Sequence, residues 1–218
     1  AIIRTLEKYY KLKFKGSEPI RYHLGCDFSR NADGNLYMSP TRYIKRISDN
    51  YFRMFGTKPE QRYTSPLESG DHPELNTSSE LTIEDIKKYQ SLVGALQWVI
   101  AIGRFDIANT VMTLSSFRAA PRIRHMTRVK RIIGYLCKMK HAKIRFRTSI
   151  PDYSSLPKDE YDWQRSIYGD VHEIIPDDIP EPLGPEVVIT TYVDANLCHD
   201  MTTGKSVTGI LHLLNQTV

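Results

Sequence analysis

The sequence predicts an α+β fold: a β-hairpin and a helix, a bundle of three helices, an acidic proline-rich tether, and a final β-hairpin. Near the start and the end of the chain, β-branched and aromatic residues follow the pattern of strands. Between them, apolar residues recur every three or four positions in three stretches, which is typical of amphipathic helices. In residues 148–186, ten acidic and two basic residues accompany six of the twelve prolines, which favours a tether over a packed domain.

The chain has 218 residues, of which 40% are hydrophobic, so it is long and apolar enough for a globular protein with a core. Its three cysteines, Cys26, Cys137 and Cys198, lie far apart, which predicts neither a zinc site nor a disulfide framework and favours a reducing compartment. The longest apolar run, residues 92–102, is about half of the ~20 residues that a membrane span needs, so we expect no membrane partner. Because the chain opens on an alanine and ends inside a strand pattern, we expect a fragment of a longer polypeptide.

The first segment predicts a strand, a turn, a second strand and a helix. Apolar and polar residues alternate through residues 22–29, which indicates one half-buried strand. Asp33-Gly34 suits a tight turn, and residues 36–38 begin the returning strand. After Pro40 a helix is expected to end near Gly56, with an apolar stripe made of Tyr43, Ile44, Ile47, Tyr51 and Phe52.

Three helices follow a loop that spans residues 57–79. Thr82 and Asp85 have the spacing of a capping box at the start of the first helix, and Gly103-Arg104 ends it. The second helix has Asp106 near its start, where a carboxylate complements the helix dipole. Pro121 separates it from the third helix, which we expect to bury a stripe of apolar residues, namely Met126, Val129, Ile133 and Leu136.

The third helix lies in a strongly basic segment. From Arg118 to Arg147 there are eleven lysines and arginines and no acidic residue, whereas ordinary surfaces mix the two signs. Such a segment suits a polyanion, because each cation that neutralises a phosphate releases counterions. Nucleic acid is therefore the first partner to consider, although a solvated basic face without a ligand is an alternative. The candidate binding residues are Arg118, Arg122, Arg124, Arg128, Lys130, Arg131 and Lys138.

The three helices alone also allow a helix-turn-helix module that reads duplex DNA. The joint between the second and third helices, around residues 119–122, is short enough for such a module. The expected tight turn and short helices are not clear in the pattern. This non-enzymatic alternative predicts sequence-selective DNA binding.

Several short motifs occur in a fixed order along the chain, and they are Tyr22-His23-Leu24-Gly25-Cys26, Leu36-Tyr37-Met38-Ser39-Pro40, Thr64-Ser65-Pro66-Leu67, Tyr89-Gln90-Ser91-Leu92-Val93-Gly94-Ala95-Leu96, Gly103-Arg104-Phe105-Asp106-Ile107 and Val129-Lys130-Arg131-Ile132-Ile133-Gly134-Tyr135-Leu136. In this order they resemble the Copia-type (Pseudoviridae) retrotransposon polyprotein, from the end of its reverse transcriptase to the start of its ribonuclease H. Phe105 departs from the proline of the family's Thr-Arg-Pro-Asp-Ile motif.

The resemblance implies four regions: the end of the reverse transcriptase palm in 1–56, the thumb and connection in 57–147, a tether in 148–186, and the first hairpin of a truncated ribonuclease H in 187–218. The tether is longer than the family's usual connection. It could also lie on the basic body as a mimic of nucleic acid. The family further implies an intracellular location, in cytoplasmic virus-like particles or the nucleus, and the rest of the polyprotein as a partner.

For function, the resemblance implies that the basic thumb holds an RNA–DNA or DNA template-primer duplex. Tyr22, His23, Leu24 and Gly25 would form a primer-grip-like edge of the palm. The family's polymerase carboxylates lie in a Tyr-x-Asp-Asp hairpin that would precede this chain, and Asp177-Asp178, between prolines, is interpreted as a linker turn. We therefore expect binding of nucleic acid and no catalysis by this chain alone.

Asp194 is the candidate metal ligand. It follows a β-branched run and precedes Lys205-Ser206-Val207-Thr208-Gly209, which resembles the opening hairpin of ribonuclease H, where an Asp binds catalytic Mg²⁺. The alternative is a turn or capping residue. Asn196 replaces a commonly found Asp outside the family's metal core. Since one carboxylate cannot hold two metal ions, Mg²⁺ is implied for the intact parent enzyme and no tight binding is expected here. Cys198-His199 with His212 fits no recognised zinc spacing.

Overall fold

The computed structural model describes residues 2–10, 19–157, 176–181 and 183–218. The chain divides into two compact units, the first extending to Arg145 with Asp200–Thr202 added, and the second comprising Phe146–His199 and Thr203–Val218. The described residues contain five α-helices and two small antiparallel sheets, so the fold is mixed α and β as the sequence predicts. None of the described helices combines the length and apolar character needed to cross a bilayer.

The first unit begins with helix α1, Ile2–Tyr10. A four-stranded antiparallel sheet follows in the order β1-β2-β3-β4, with the strands Tyr22–His23, Cys26–Arg30, Leu36–Ser39 and Ile144–Arg145. The last strand returns from the far end of the unit to pair with β3. The start of the unit is therefore joined to its end through backbone hydrogen bonds.

The predicted single strand over residues 22–29 is wrong, because β1 and β2 are two strands of a tight hairpin. Leu24 and Gly25 form its two-residue turn with φ of 50° and 97°, the left-handed conformation that such a turn requires. Glycine adopts this conformation without a steric penalty, and Leu24 is 64% exposed. The alternation of apolar residues continues through the turn, which explains why the pattern did not reveal it.

The next predictions are confirmed in their main features. Gly34 has a positive φ of 79° in the turn between β2 and β3. Helix α2 spans Thr41–Phe55, and its C-cap Gly56 donates its N–H to the carbonyl oxygen of Phe52 at 2.8 Å. The Phe52 side chain is exposed, so it does not belong to the buried stripe that we predicted for this helix.

The three helices of the predicted bundle are α3, Ile83–Ala101, α4, Ala108–Ser115, and α5, Ile123–Lys138. Thr82 caps α3 as predicted, because its Oγ1 accepts the N–H of Asp85 at 3.3 Å. They pack with α2 around a core of fully buried side chains, among them Ile44, Tyr89, Leu92, Leu96, Val111, Leu114, Val129, Ile132, Ile133 and Leu136. Tyr89 donates its hydroxyl to the carbonyl oxygen of Leu114 at 2.6 Å, which joins α3 to α4.

The second helix begins later than predicted, because Phe105–Ile107 form a separate 3-10 turn before α4. Asp106 in this turn does not serve the helix dipole in the way we expected. Its carboxylate accepts both Nε and Nη2 of Arg104, each at 2.8 Å, and the hydroxyl of Tyr135 at 2.8 Å. A buried guanidinium requires a charged partner, and Asp106 is that partner for Arg104.

The second unit contains a two-stranded antiparallel sheet, β5, Ile189–Asn196, and β6, Val207–Leu214. The backbone N–H of Arg147 donates to Thr217 Oγ1 at 2.6 Å, which ties the start of this unit to its end. The predicted tether lies here, and residues 158–175 and 182 of it fall outside the described residues. Its described parts have no helix or strand, and Asp177-Asp178 lie in a turn.

Candidate nucleic-acid interface

Helix α5 carries most of the cations that the sequence singled out, and its buried face fixes their directions. Met126, Val129, Ile133 and Leu136 are buried as predicted. The side chains of Arg128, Arg131 and Lys138 lie on the face of α5 that contacts the loop of residues 57–79. That loop supplies several carbonyl oxygens, a hydroxyl and two carboxylates to α5, so loop and helix form one surface.

His125 anchors the first turn of α5. Its Nδ1 accepts the backbone N–H of Arg122 at 3.1 Å, so Nε2 carries the proton and donates to the carbonyl oxygen of Pro73 at 3.0 Å. The imidazole stacks on the ring of Phe117 with centroids 4.2 Å apart. Burial lowers the pKa of His125, and the charges of Arg128 and Arg122 act in the same direction. This histidine is therefore a neutral structural group between the loop and the helix.

Arg128 is held by a carboxylate from the loop. Its Nε donates to Asp71 Oδ2 at 2.7 Å, and its Nη2 donates to the other oxygen of the same carboxylate. The side chains of Arg128 and Asp71 are only 15% and 21% exposed. The hydrogen bond from Arg128 lowers the pKa of Asp71 despite partial burial. This bidentate pair is consistent with a fixed link between loop and helix.

Arg131 is held in a different way. Its Nε and Nη2 donate to the carbonyl oxygen and the hydroxyl of Ser65 at 3.3 and 3.1 Å, and its guanidinium lies 4.8 Å from the ring centre of Tyr63. Only Nη1 donates to a carboxylate, that of Glu68. The position of Arg131 therefore depends mainly on Ser65 and Tyr63.

The other predicted cations lie on the surface with varied surroundings. Arg122 donates to the carbonyl oxygen of Ser78 at 2.6 Å and lies 3.7 Å from a carboxylate oxygen of Glu80. Lys130 Nζ lies 4.0 Å from the ring centre of Phe55. The remaining three, which are exposed, are Arg118, Arg124 and Lys138.

The basic segment is thus partly neutralised by residues from outside it. The sequence shows no acid between Arg118 and Arg147, yet Asp71, Glu68 and Glu80 come from earlier in the chain to pair with three of its arginines. Of the ten lysines and arginines from Arg118 to Arg145, the other seven have no ion pair with any described residue. A positive excess therefore remains after the local compensation.

A cleft lies between the loop and α5. Its volume is about 580 Å³, and its lining includes Arg62, Tyr63, Glu68, Asp71, Arg124, Thr127, Arg128 and Arg131. Four arginines face two carboxylates, so the cleft has a net positive charge. Sequence reasoning did not find Arg62, because it lies outside the basic segment and only the fold brings it to the cleft.

The predicted primer-grip-like residues form a second surface at the β1–β2 turn. Tyr22, Leu24 and Gly25 line an open cleft of about 430 Å³ with three residues that the sequence did not assign to this surface, Tyr43, Arg46 and Trp98. Trp98 is 43% exposed although it lies on the central helix α3. His23 lies in β1 and is exposed. The signal that could have revealed Trp98 is that it does not continue the helical spacing of the buried residues Leu92, Leu96 and Val99 of α3.

Two arginine guanidinium groups lie close to aromatic rings of this second surface. The guanidinium of Arg42 lies 4.2 Å from the ring centre of Tyr22, and that of Arg46 lies 4.9 Å from the ring centre of Tyr43. Rings stack on bases and guanidinium groups bind phosphates, so this combination is chemically suited to nucleic acid.

Asp194 lies in β5 opposite Gly209 and is exposed. Among the described residues, no three His, Cys, Asp or Glu side chains lie close enough together to hold a metal ion. The described carboxylates therefore do not build a Mg²⁺ site around Asp194. Near it, the Nδ2 of Asn196 lies 2.9 Å from Nδ1 of His199.

Comparison with known proteins gives one informative relationship. Over 149 residues the chain is 28% identical to a Saccharomyces cerevisiae protein that is named for the transposon Ty5-1. The match covers 66% of this chain and 44% of that protein, so the chain spans less than half the length of this relative. No family model matches, and no solved structure matches. The chain is therefore related in sequence to a transposon protein.

Proposed function

We propose that this chain is part of a Copia-type retrotransposon reverse transcriptase and ribonuclease H, and that its first unit holds a template-primer duplex of RNA–DNA or DNA. The observation that carries the proposal is the set of seven basic side chains between Arg118 and Arg145 that lack an ion pair with described residues. Cations of this kind bind backbone phosphates without reading sequence. The similarity to a transposon protein supports this assignment.

In this proposal α3, α4 and α5 are the thumb and the β1–β2 hairpin is the edge of the palm. The hairpin contributes aromatic and aliphatic groups beside Arg46, and α5 contributes charge. The two surfaces have complementary roles: the cations supply affinity for the backbone, and the rings position the nucleotides at the end of a strand.

This proposal assigns no bond-making chemistry to the described residues of this chain. In the intact enzyme Mg²⁺ would be held by several carboxylates, of which Asp194 is our candidate member. The proposed activity of this chain alone is therefore binding.

The helix-turn-helix alternative gains no support from the geometry. Residues 116–122 separate α4 from α5, so the connection has seven residues, whereas a helix-turn-helix motif uses three or four.

The experiment is a fluorescence-anisotropy titration of a labelled RNA–DNA template-primer with the full chain at several salt concentrations. If ~5 phosphates are engaged, the slope of log affinity against log salt is expected to be near −4.5. Replacing Arg118 and Arg124 with alanine should weaken binding equally for unrelated sequences and reduce the slope by about 2.

A matched control replaces Arg4 and Lys87, two exposed cations outside the basic segment, with alanine. This control removes the same charge and should lose much less affinity. A slope near zero, or equal losses in both double variants, would exclude the proposed interface. A loss confined to one DNA sequence would favour the helix-turn-helix alternative.

A further inference from the structure

The cleft between the loop and α5 contains two arginine–carboxylate pairs that differ in how readily they can exchange partners. Each guanidinium nitrogen of Arg128 has an acceptor: Nε and Nη2 bind the two oxygens of Asp71, and Nη1 donates to the carbonyl oxygen of Arg124 at 3.3 Å. Both members of this pair are largely buried. An incoming anion would have to break several contacts to displace Asp71, so this pair is a structural link.

The Arg131–Glu68 pair has the opposite character. Glu68 contributes a single contact to Nη1, and its side chain is 71% exposed, whereas that of Arg131 is 16% exposed. An exposed single-contact ion pair contributes little because water and salt compete with it. Glu68 can therefore leave at small cost.

Arg131 keeps its position when Glu68 leaves. Its other donors remain on the carbonyl oxygen and hydroxyl of Ser65, and the ring of Tyr63 lies against the guanidinium. A guanidinium that is already oriented loses little conformational freedom when it binds a new anion. The vacated Nη1 would point to the place that the Glu68 carboxylate occupied.

Two further cations line the same cleft. Arg124 lines the cleft and has no ion pair with a described residue. Arg62 also lines the cleft, and both side chains of the Arg62–Glu60 ion pair are exposed. A group with more charge than one carboxylate, and with oxygens in several directions, would satisfy these guanidinium groups better than Glu68 does.

We propose that this cleft binds a phosphate of the nucleic-acid backbone, with Arg131 as its main donor, and that Glu68 is a built-in competitor that occupies Arg131 until the phosphate replaces it. The exchange breaks one ion pair and forms another, and no covalent bond changes. The inference rests on the proposed binding of nucleic acid and adds the site, its central residue and its regulator. Arg124 and Arg62 complete the cationic rim.

The test compares Glu68→Gln with Glu84→Gln by anisotropy with the same RNA–DNA template-primer. Both variants remove one negative charge, and Glu84 is an exposed residue of α3 that pairs with Lys88 and does not line the cleft. Glu68→Gln is expected to bind at least about threefold more tightly than Glu84→Gln, since it alone removes the competitor. Equal affinities of these two variants would overturn the inference.

A second measurement tests whether the gain in affinity from Glu68→Gln depends on Arg131. In the Arg131→Lys background, which keeps the charge and loses the planar fork, Glu68→Gln should give less than half of its gain. An unchanged gain would show that Glu68 acts through the general field of the protein and would overturn the site. Thermal melting of each variant verifies folding, and Arg124→Ala serves as a second rim variant if Arg131→Lys unfolds.

The outcomes distinguish a failure of this inference from a failure of the proposed duplex binding. They also distinguish a backbone phosphate from a free anion. If the wild-type chain shows no salt-dependent binding of the duplex, the proposed function fails. If the duplex binds and the Glu68 and Glu84 variants are equal, only the present inference fails. Inorganic pyrophosphate should displace the duplex only weakly. Tight pyrophosphate binding that Arg131→Lys abolishes, with the duplex affinity of that variant unchanged, would assign the cleft to a free anion and overturn the proposal.

Discussion

The guanidinium of Arg104 donates from Nε and Nη2 to the two carboxylate oxygens of Asp106, both at 2.8 Å, while its Nη1 donates to the carbonyl oxygen of Met139 at 3.0 Å. Arg104 is 2% exposed. The pair therefore joins the turn after α3 to the C-terminal end of α5. Burial of a charge is tolerated here because each donor nitrogen of the guanidinium has an acceptor.

Removing Asp106 should strongly destabilise the first unit. Asp106→Ala leaves the buried guanidinium without its partner, which costs about 3–5 kcal/mol in free energy of unfolding. Urea denaturation followed by circular dichroism measures it. The matched control is Asp49→Ala, which breaks an exposed pair with Lys45 and should cost less than about 1 kcal/mol. Equal losses would show that the Arg104–Asp106 pair is not structural.

The same pair predicts a pH dependence. Partial burial opposes ionisation of Asp106, whose side chain is 36% exposed, but the hydrogen bonds from Arg104 and Tyr135 outweigh it, and the pKa of Asp106 is lowered in the folded state. A carboxyl group with a lowered pKa contributes stability that is present above its unfolded pKa and is lost as the pH falls below it. Stability should therefore decline below about pH 4. The decline should be smaller in Asp106→Asn, and an unchanged profile would contradict this assignment.

His125 should make the N-terminal end of α5 sensitive to mild acid. Its pKa is lowered by burial, so the folded state favours the neutral ring, and stability is complete above the unfolded pKa and declines as the pH falls through about 6.5. Protonation would place a proton on Nδ1 against the Arg122 N–H. Thermal melts between pH 7.5 and 5.5 should show this loss, and His125→Gln should reduce it. The control is His141→Gln, which replaces an exposed histidine and keeps His125, so the loss should remain in this variant.

Two glycines in helices should respond to alanine in opposite directions. A Cβ at Gly134 of α5 would overlap the carbonyl oxygen of Glu60, whereas a Cβ at Gly94 of α3 would meet nothing within 4 Å. Gly134→Ala should destabilise by about 1–3 kcal/mol because the loop must shift. Gly94→Ala should stabilise by about 0.5–1 kcal/mol through helix propensity. Urea denaturation measures both, and a neutral Gly134→Ala would mean that the loop does not pack on α5.

The cleft at the β1–β2 turn should contribute to duplex binding through Trp98. Trp98→Ala is expected to weaken binding of the template-primer about fivefold or more, the cost of one lost stacking contact. Anisotropy titration measures it. The control is Phe52→Ala, which removes another exposed aromatic ring that does not line this cleft. If both variants bind as the wild type does, the proposed role of this surface is wrong.

Local patterns predicted the elements well where one short stretch of chain contains all the information. The capping hydroxyl of Thr82 and the buried stripe of α5 follow from spacing alone, because both depend on residues within one or two helical turns. The tight β1–β2 hairpin was missed, since Leu24 in a left-handed conformation has no sequence signal as strong as Asp33-Gly34.

The candidate interface shows the same division. The sequence by itself determined that α5 would be amphipathic and basic, because helical periodicity and charge are properties of consecutive residues. Only the tertiary structure decided which of those charges have an ion-pair partner. Arg128 meets Asp71 across 57 positions and Arg131 meets Glu68 across 63, so their compensation depends on how the loop folds back onto the helix. Ion pairing depends on distance in space, and charge patterns along the chain do not contain that distance.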